Sequence, residues 1–522
     1  MAIPVIDLFA GPGGLGEGFS ALTTEAGSRA FRLALSVEKD EVACRTLRLR
    51  AISRQLKSNG ASGLYFSLLR GEISRQEFDL HPLVKHVSDE ATAEVMNAEL
   101  GHADPSALDA RIRKALGHAA DWVLIGGPPC QAYSLPGRSR RTNDATFESD
   151  EKHFLYREYL RIIRSHVPPV FIMENVKGLL SSRHAGSRMF DRILRDLSSP
   201  SAHLEYEIRS LVVKDAGFGL KPEDFIIESE RYGVPQRRHR LILFGVRSDL
   251  SFRDHQLLEP ARQKVGVSEV LSGMPAIRSR LSRIPDSPEA WHAVVEGAAA
   301  ALRGWGHPAE RRVAAAMKAA ARAASATSGT GGSFVSSAAT ARGMSASLKH
   351  WILDPQLGGV IQHEAKSHMS GDLARYLFAA CFAQELGVSP KLADFPAALL
   401  PDHANAINTA GGLIPFSDRF RVQVACEPGS TVVSHIAKDG HYYIHCDPAQ
   451  CRSLSVREAA RIQTFPDDYF FEGNKTQQYV QVGNAVPPLL ATQIARSVGG
   501  LLGNADSHAT KHRSAKETRA VA

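Results

Sequence analysis

Cysteine is scarce in this 522-residue chain: six in all, at Cys44, Cys130, Cys381, Cys426, Cys446 and Cys451, with no paired spacing. That pattern argues against a disulfide framework and fits a reducing compartment. No uninterrupted apolar stretch approaches the ~18 residues a membrane span needs. The N-terminus is apolar from Ile3 with no basic stretch ahead of it, so it reads as a first strand rather than a secretory signal. A cytoplasmic protein without membrane contact is the expectation. Internal repeats are absent, and so is a strong charge bias. Lys and Arg number 62 against 55 Asp and Glu, a net charge of +7 that permits a polyanionic partner without demanding one. The length allows two or three domains.

What is present is a series of short apolar runs that end in polar chemistry. Ile3 to Phe9 reads as a strand that breaks into Gly11-Pro12-Gly13-Gly14-Leu15-Gly16. Arg32 to Val37 reads as a second strand ending at Glu38. Strand, glycine turn, helix, strand is the order of a βαβ unit with a parallel sheet. The glycines allow positive φ and close approach of a ligand, and Glu38 is placed to accept from ribose hydroxyls. Dehydrogenases, methyltransferases and plain tight turns share this pattern, so it does not choose among them. Further strands are predicted at Trp122 to Ile125, Pro169 to Met173 and Leu241 to Val246, with an amphipathic helix around Phe154 to Arg164. Residues 39–120 read as mostly helical and carry no motif.

Three segments concentrate reactive groups at strand ends. Gly127-Pro128-Pro129-Cys130-Gln131 follows the apolar run, and its prolines hold the backbone extended so that one thiol stands at the rim of a sheet. A thiol ionises near a pKa of about 8.5 and its thiolate is a strong nucleophile; a buried structural cysteine is the alternative. Val170 to Val176 brings Glu174 and Asn175 to another strand end, where an acid is costly to bury without a task, unless it caps a helix. A thiol and an acid on one rim suggest attack on a ring that is protonated as it is attacked. Gln236-Arg237-Arg238-His239-Arg240 leads into the strand Leu241 to Val246. Alternation predicts Arg238 and Arg240 on one face, able to bridge a carboxylate, phosphate or base, or else a solvated basic edge. Arg457 to Pro466 reads as an amphipathic helix stopped by proline, and Gly483-Asn484-Ala485-Val486 opens a last helix.

Taken in order, Asp7-Leu8-Phe9-Ala10-Gly11, Pro128-Pro129-Cys130-Gln131, Glu174-Asn175-Val176, Gln236-Arg237-Arg238-His239-Arg240, Arg457-Glu458-Ala459-Ala460-Arg461 and Gly483-Asn484-Ala485-Val486 resemble the DNA (cytosine-5) methyltransferase family. The resemblance covers residues 1–50, 120–247 and 452–497. It implies an α/β fold: a doubly wound, Rossmann-like methyltransferase sheet over 1–250, completed by 475–500, with a second, smaller target-recognition domain over 251–455. It implies S-adenosylmethionine as cofactor, held by Phe9, Gly11, Gly13, Gly14, Glu38, Pro128, Leu155 and Asn484. Cys130 is the implied nucleophile toward carbon 6 of a cytosine flipped from double-stranded DNA, and Glu174 the implied group on ring nitrogen 3. Arg238 and Arg240 would position Glu174 and the base. Gln131, Ser134, Arg138, Arg140, Arg141 and Gln236 are expected on DNA, the basic segment 134–147 closing over it. The acid expected at the cofactor's adenine is not placed; Asp89 is a candidate. The expected setting is bacterial restriction–modification with a cognate endonuclease encoded nearby, and the expected form a nucleoid-associated monomer.

An NAD-dependent oxidoreductase shares the glycine turn but has no use for the other motifs. An RNA cytosine methyltransferase is the nearest rival, separable by a substrate assay. No metal is expected. Cys426, His435, His441, His445, Cys446 and Cys451 match no structural zinc spacing. His363, Glu364 and His368 lack the i, i+4 pair of a zinc helix and are expected to face DNA or solvent. Asp439 to His445 is expected to form a hairpin ahead of the Arg457 motif. Residues 293–325 read as alanine-rich and helical, Ser325 to Ser333 as a flexible connector, the stretch near Val360 to Phe382 as helical, and 503–522 as a disordered basic tail.

Overall fold

The computed structural model describes residues 2–129, 155–184, 187–215, 217, 219–250, 252, 254–337, 341, 343–401 and 417–503. Cys130, Gln131, Ser134, Arg138, Arg140 and Arg141, with the rest of 134–147 and the tail beyond Gly503, lie outside the described residues.

The chain begins β1 (Ile3–Leu8), α1 (Gly14–Ala21), β2 (Phe31–Glu38), α2 (Glu41–Ser58), α3 (Ser62–Arg70), α4 (Arg75–Leu80), α5 (Pro82–Ala93), β3 (Val95–Asn97), α6 (Pro105–Leu116) and β4 (Val123–Gly126). It continues α7 (Leu155–His166), β5 (Val170–Val176), α8 (Met189–Ser198), β6 (Tyr206–Arg209), β7 (Ile226–Glu228) and β8 (His239–Arg247). These strands form one sheet in the order β3-β2-β1-β4-β5-β8-β6, with β7 also pairing β8. The pairs from β3 through β5 are parallel, and β8 is antiparallel to β5, β6 and β7.

Alternation along each strand explains why these runs are apolar on every residue. Val170 and Ile172 enter one core with Val5, Val123, Ile125, Ile242 and Phe244. Phe171 and Met173 enter the other with Ile6, Leu8, Leu124, Leu241 and Leu243. A strand buried on both faces has no solvent side to mark with polar residues. The second core is covered by α6, α7 and α8. The first is covered by α1 and by α14 (Pro488–Gly503), a helix that returns from the far end of the chain. The result is a three-layer α/β/α fold.

Past β8 the order is α9 (Pro288–Ala301), α10 (Glu310–Ala324), β9 (Gly331–Ser336), β10 (Gly359–Glu364), α11 (Ser370–Leu386), α12 (Val456–Ile462) and α13 (Lys475–Asn484). The alanine-rich stretch is two helices, because Gly304 and Gly306 take φ +68 and +76° and Pro308 follows. Several sequence expectations are corrected here. The expected connector runs into β9, which pairs with β10, and the helix expected from Val360 starts only at Ser370. Asp439 to His445 holds a 3-10 turn, Gly440–Tyr442, instead of a hairpin.

α12 is not amphipathic: all seven of its residues are buried. Two of its charged side chains are paired inside the protein, and Arg457 donates to the carbonyls of Ile361, Pro466 and Tyr469. Arg452 meets Glu458 at 2.6 Å and Arg461 meets Asp467 at 2.6 Å. Burial alone would raise the Glu458 pKa, but Arg452 and His445 outweigh it and hold the carboxyl well below its usual range. Residues 39–120, which carried no motif, have a packing role. Helices α2 to α5 share a core with Leu357 and Ile361 from around β10.

Candidate active site

The parallel register lines up the C-terminal ends of five strands. Asn97 pairs with Glu38, Val37 with Leu8, Leu8 with Gly126, and Gly126 with Met173. The residues that follow therefore stand along one rim, the usual ligand edge of an open α/β sheet. From β2 to β5 is three strand spacings, about 14 Å. Glu38 stands at one end of that row and Glu174 at the other.

At the Glu38 end the turn is tightly specified. Phe9 leaves β1 at φ +56°, and Gly11 and Gly13 follow at +56 and +88°. A side chain other than glycine's rarely adopts such backbone, so Phe9 holds local strain at the rim. The carboxylate of Glu38 accepts from Gly11 N and from Asp40 N, each at 2.8 Å. Asp40 then caps α2, accepting from Ala43 N at 2.8 Å. Gly14 is needed for close packing: a Cβ there would lie 2.2 Å from the Val486 carbonyl. Beside Gly11, among the described residues and apart from its own chain neighbours, no atom lies within 4 Å of where a Cβ would project. An open cradle flanked by Phe9 and an acid fits a nucleoside-bearing cofactor.

Asn484, the exposed last residue of α13, precedes Ala485 and Val486, which seat on Gly14. Leu155 opens α7 and contacts the Gly101 side of the rim, its Cδ2 3.2 Å from the Gly101 Cβ position. Asp89 is exposed on α5. The residue that β3 does deliver is Asn97, whose amide donates to the carbonyls of Glu38 at 3.1 Å and Lys39 at 2.9 Å. Sequence reasoning missed it because a three-residue strand leaves no periodic signal.

At the other end, Glu174 Oε1 pairs with Arg240 Nε at 2.7 Å, both side chains largely buried. The sheet explains the pair: Arg240 lies opposite Val176, so Glu174 is its diagonal neighbour on the same face. A Cβ on Gly127 would lie 2.7 Å from Glu174 Oε2, which is why a glycine precedes the prolines. Asn175, 3% exposed, donates to the Pro128 carbonyl at 3.4 Å and so fixes the strand end that leads toward Cys130.

Arg238, expected to act beside Arg240, and Gln236, expected on DNA, both make contacts within the protein. Arg238 precedes the strand, so the alternation argument does not reach it. Its guanidinium donates to the carbonyls of Val432 at 2.7 Å and Gly483 at 3.2 Å, 2% exposed, holding the last motif to the segment before it. Gln236 is fully buried and its amide is spent. It accepts from Val432 N at 2.8 Å and donates to the Ile462 carbonyl at 3.3 Å and to the Gln463 side chain. The sequence expectation put Gln236 on DNA; among the described residues its amide is engaged within the protein instead. His363 and His368 are also buried instead of facing DNA or solvent. His363 bonds Ser455 Oγ at 2.9 Å and the Pro275 carbonyl at 2.8 Å, and burial pushes its pKa down to about 4. Among the described residues no group of three or more His, Cys, Asp or Glu is disposed to hold a metal. Nor is any described helix long and apolar enough to cross a membrane.

Comparison with known proteins agrees with this geometry. The sequence model of the family described as C-5 cytosine-specific DNA methylase matches residues 109–289 and 404–500. The chain is 31% identical to the Type II methyltransferase M.Bpa9945I of Bacillus paralicheniformis over 95% of this chain and 98% of that one. It is 27% identical to the DNA (cytosine-5-)-methyltransferase M.ApeKI of Aeropyrum pernix, over 73% of this chain and 81% of that one. A crystal structure of a prophage-encoded E. coli protein, described as a DNA modification methyltransferase, superposes with a TM-score of 0.51 at 18% identity, covering 96% of this chain and 100% of that one. That last likeness speaks for the fold. With two strand-end acids on one rim, an open glycine cradle between the first and last motifs, and these matches, the chain belongs to the C-5 cytosine-specific DNA methylase family, enzymes that methylate cytosine in DNA from S-adenosylmethionine.

Proposed function

We propose that Cys130 and Glu174 jointly activate a cytosine extruded from duplex DNA, with the cofactor seated along the rim between them and Glu38. Carbon 5 of cytosine is a poor nucleophile within its aromatic ring. Addition of the Cys130 thiolate forms a sulfur–carbon 6 bond while Glu174, at ring nitrogen 3, protonates or hydrogen-bonds the developing charge, which leaves carbon 5 enamine-like. S-adenosylmethionine supplies an electrophilic methyl group. Loss of the carbon 5 proton and expulsion of the Cys130 thiolate then restore the ring.

The observation that carries this reading is the Arg240–Glu174 pair beside Gly127, one short proline step before Cys130. Arg240 orients the carboxylate through a 2.7 Å contact without occupying Oε2 in that contact. The cofactor contacts proposed are Phe9, Gly11, Gly13, Gly14, Glu38, Pro128, Leu155 and Asn484. DNA is proposed to meet Gln131, Ser134, Arg138, Arg140 and Arg141; the three arginines would release counterions from the phosphates and help offset the few kcal/mol of unstacking that flipping costs. Arg238 is proposed as a strut between the last motif and residues 430–433. Residues 251–455 are proposed as the target-recognition part. Restriction–modification, with an endonuclease encoded nearby, is the proposed setting, on the strength of the relatives' names. Monomeric action on the nucleoid is part of the same reading.

Mapping 5-methylcytosine in DNA from cells that express the chain tests it. One sequence context should be fully methylated, and Cys130→Ser should erase the mark while S-adenosylmethionine still binds. Methylation that survives Cys130→Ser removes the thiol from the mechanism.

A further inference from the structure

We infer that Tyr469 is a positioning residue for cofactor binding, tying the turn at Pro12 to the buried core around α12; this rests on that turn being the cofactor site. Tyr469 is 1% exposed and its hydroxyl donates to the Pro12 carbonyl, 457 positions away in the chain. The same oxygen lies 3.1 Å from where a Cβ on Gly13 would stand, so the phenol packs directly on the turn. No motif in the sequence marks this contact.

Tyr469 is itself held from several sides. Arg457, fully buried in α12, donates to its carbonyl at 2.7 Å. The rings of Phe465 and Phe471 lie 4.8 and 5.3 Å from its own. The Arg50 guanidinium of α2 stands over the phenol ring at 5.0 Å, a cation–π arrangement. Arg50 is anchored in turn by Glu17 of α1 at 2.6 Å and by Asp468 at 2.8 Å. One residue thus joins three elements: the core behind the last motifs through its ring and carbonyl, the helix that follows Glu38 through its ring, and the glycine turn through its hydroxyl. Because Gly11 and Gly13 have no side chains to anchor them, an outside support at Pro12, between the two, helps fix where the cradle lies. A preformed cradle loses less freedom when the ligand binds.

The test compares Tyr469→Phe with Tyr479→Phe. Tyr479 is an equally buried phenol that donates to a backbone carbonyl, Leu454, at 2.7 Å, away from the turn. Calorimetry should show S-adenosylmethionine binding about tenfold more weakly to Tyr469→Phe and unchanged to Tyr479→Phe. Duplex DNA affinity and the small loss of melting temperature should be alike in both. A Tyr469→Phe affinity within about twofold of wild type, or equal weakening in both variants, overturns the inference. Should Tyr469→Phe not fold, deuterium exchange of the wild-type protein carries the test. Added S-adenosylmethionine should protect 465–471 together with 9–16. Protection of 9–16 alone overturns the role of Tyr469, and no protection of 9–16 overturns the cofactor site as well.

Discussion

Replacing Gly127 by Ala adds one methyl group, and the structure says where it lands. Its Cβ would stand 2.7 Å from Glu174 Oε2, with the Glu174 backbone carbonyl next nearest at 3.7 Å. Gly127 does not need positive φ, so the backbone accepts alanine without strain. An ordinary contact begins near 3.4 Å, so the carboxylate must retreat by about 0.7 Å while Arg240 still holds its other oxygen. Overpacking of a flexible side-chain end costs about 1 kcal/mol, near the low end of the usual range, and the fold should survive. A reacting group misplaced by about 1 Å costs on the order of 100-fold in rate. Gly127→Ala should therefore keep a melting temperature within a few degrees of wild type and lose methyl transfer by roughly 30- to 100-fold at saturating DNA and cofactor. Single-turnover transfer of a labelled methyl group measures the rate, and thermal unfolding controls for the fold. A folded variant with near-normal turnover would show that the position of Glu174 does not govern the chemical step.

Gln236→Ala should lower stability by about 2–4 kcal/mol in urea titration, because it strips partners from several buried groups, and leave DNA affinity of the folded protein intact. Lost DNA binding at unchanged stability would return Gln236 to the interface. His363 is buried neutral with its pKa pushed down to about 4 from 6.5. The unfolded chain therefore binds the extra proton first, and this contribution is whole above pH 6.5 and shrinks as pH falls toward about 4. Comparing His363→Asn with wild type across that window should show a shallower fall for the variant, by on the order of 1 kcal/mol per pH unit below 6. Parallel curves would remove His363 as the cause.

Much of the site was legible because its chemistry sits in contiguous words at strand ends. Apolar runs gave β1, β2, β4, β5 and β8 nearly to their limits, and a strand end followed by Gly-Gly-Pro-Pro or Glu-Asn announces a rim. What failed was mostly what depends on distant partners. Arg238 was expected to share a strand face with Arg240, but β8 starts only at His239 and the segment holding Gln236 and Arg238 is threaded between Val432, Ile462 and Gly483. α12 looked amphipathic because arginines usually face water. Here Arg452, Arg457 and Arg461 are 0–1% exposed, and each donates to a backbone carbonyl far away in sequence, at Ile277, Ile361 and Val270. The same holds for α2 to α5, whose partner, β10, lies some 300 residues on.

The central claim is that sulfur of Cys130 bonds to a flipped cytosine held at Glu174. Duplex DNA bearing 5-fluorocytosine at the target position cannot release the proton that ends the reaction. Incubated with S-adenosylmethionine, the protein should form a denaturation-resistant adduct, and peptide mass analysis should place the DNA on Cys130. No adduct on a duplex that is methylated when unfluorinated, or an adduct on another residue, would contradict the account.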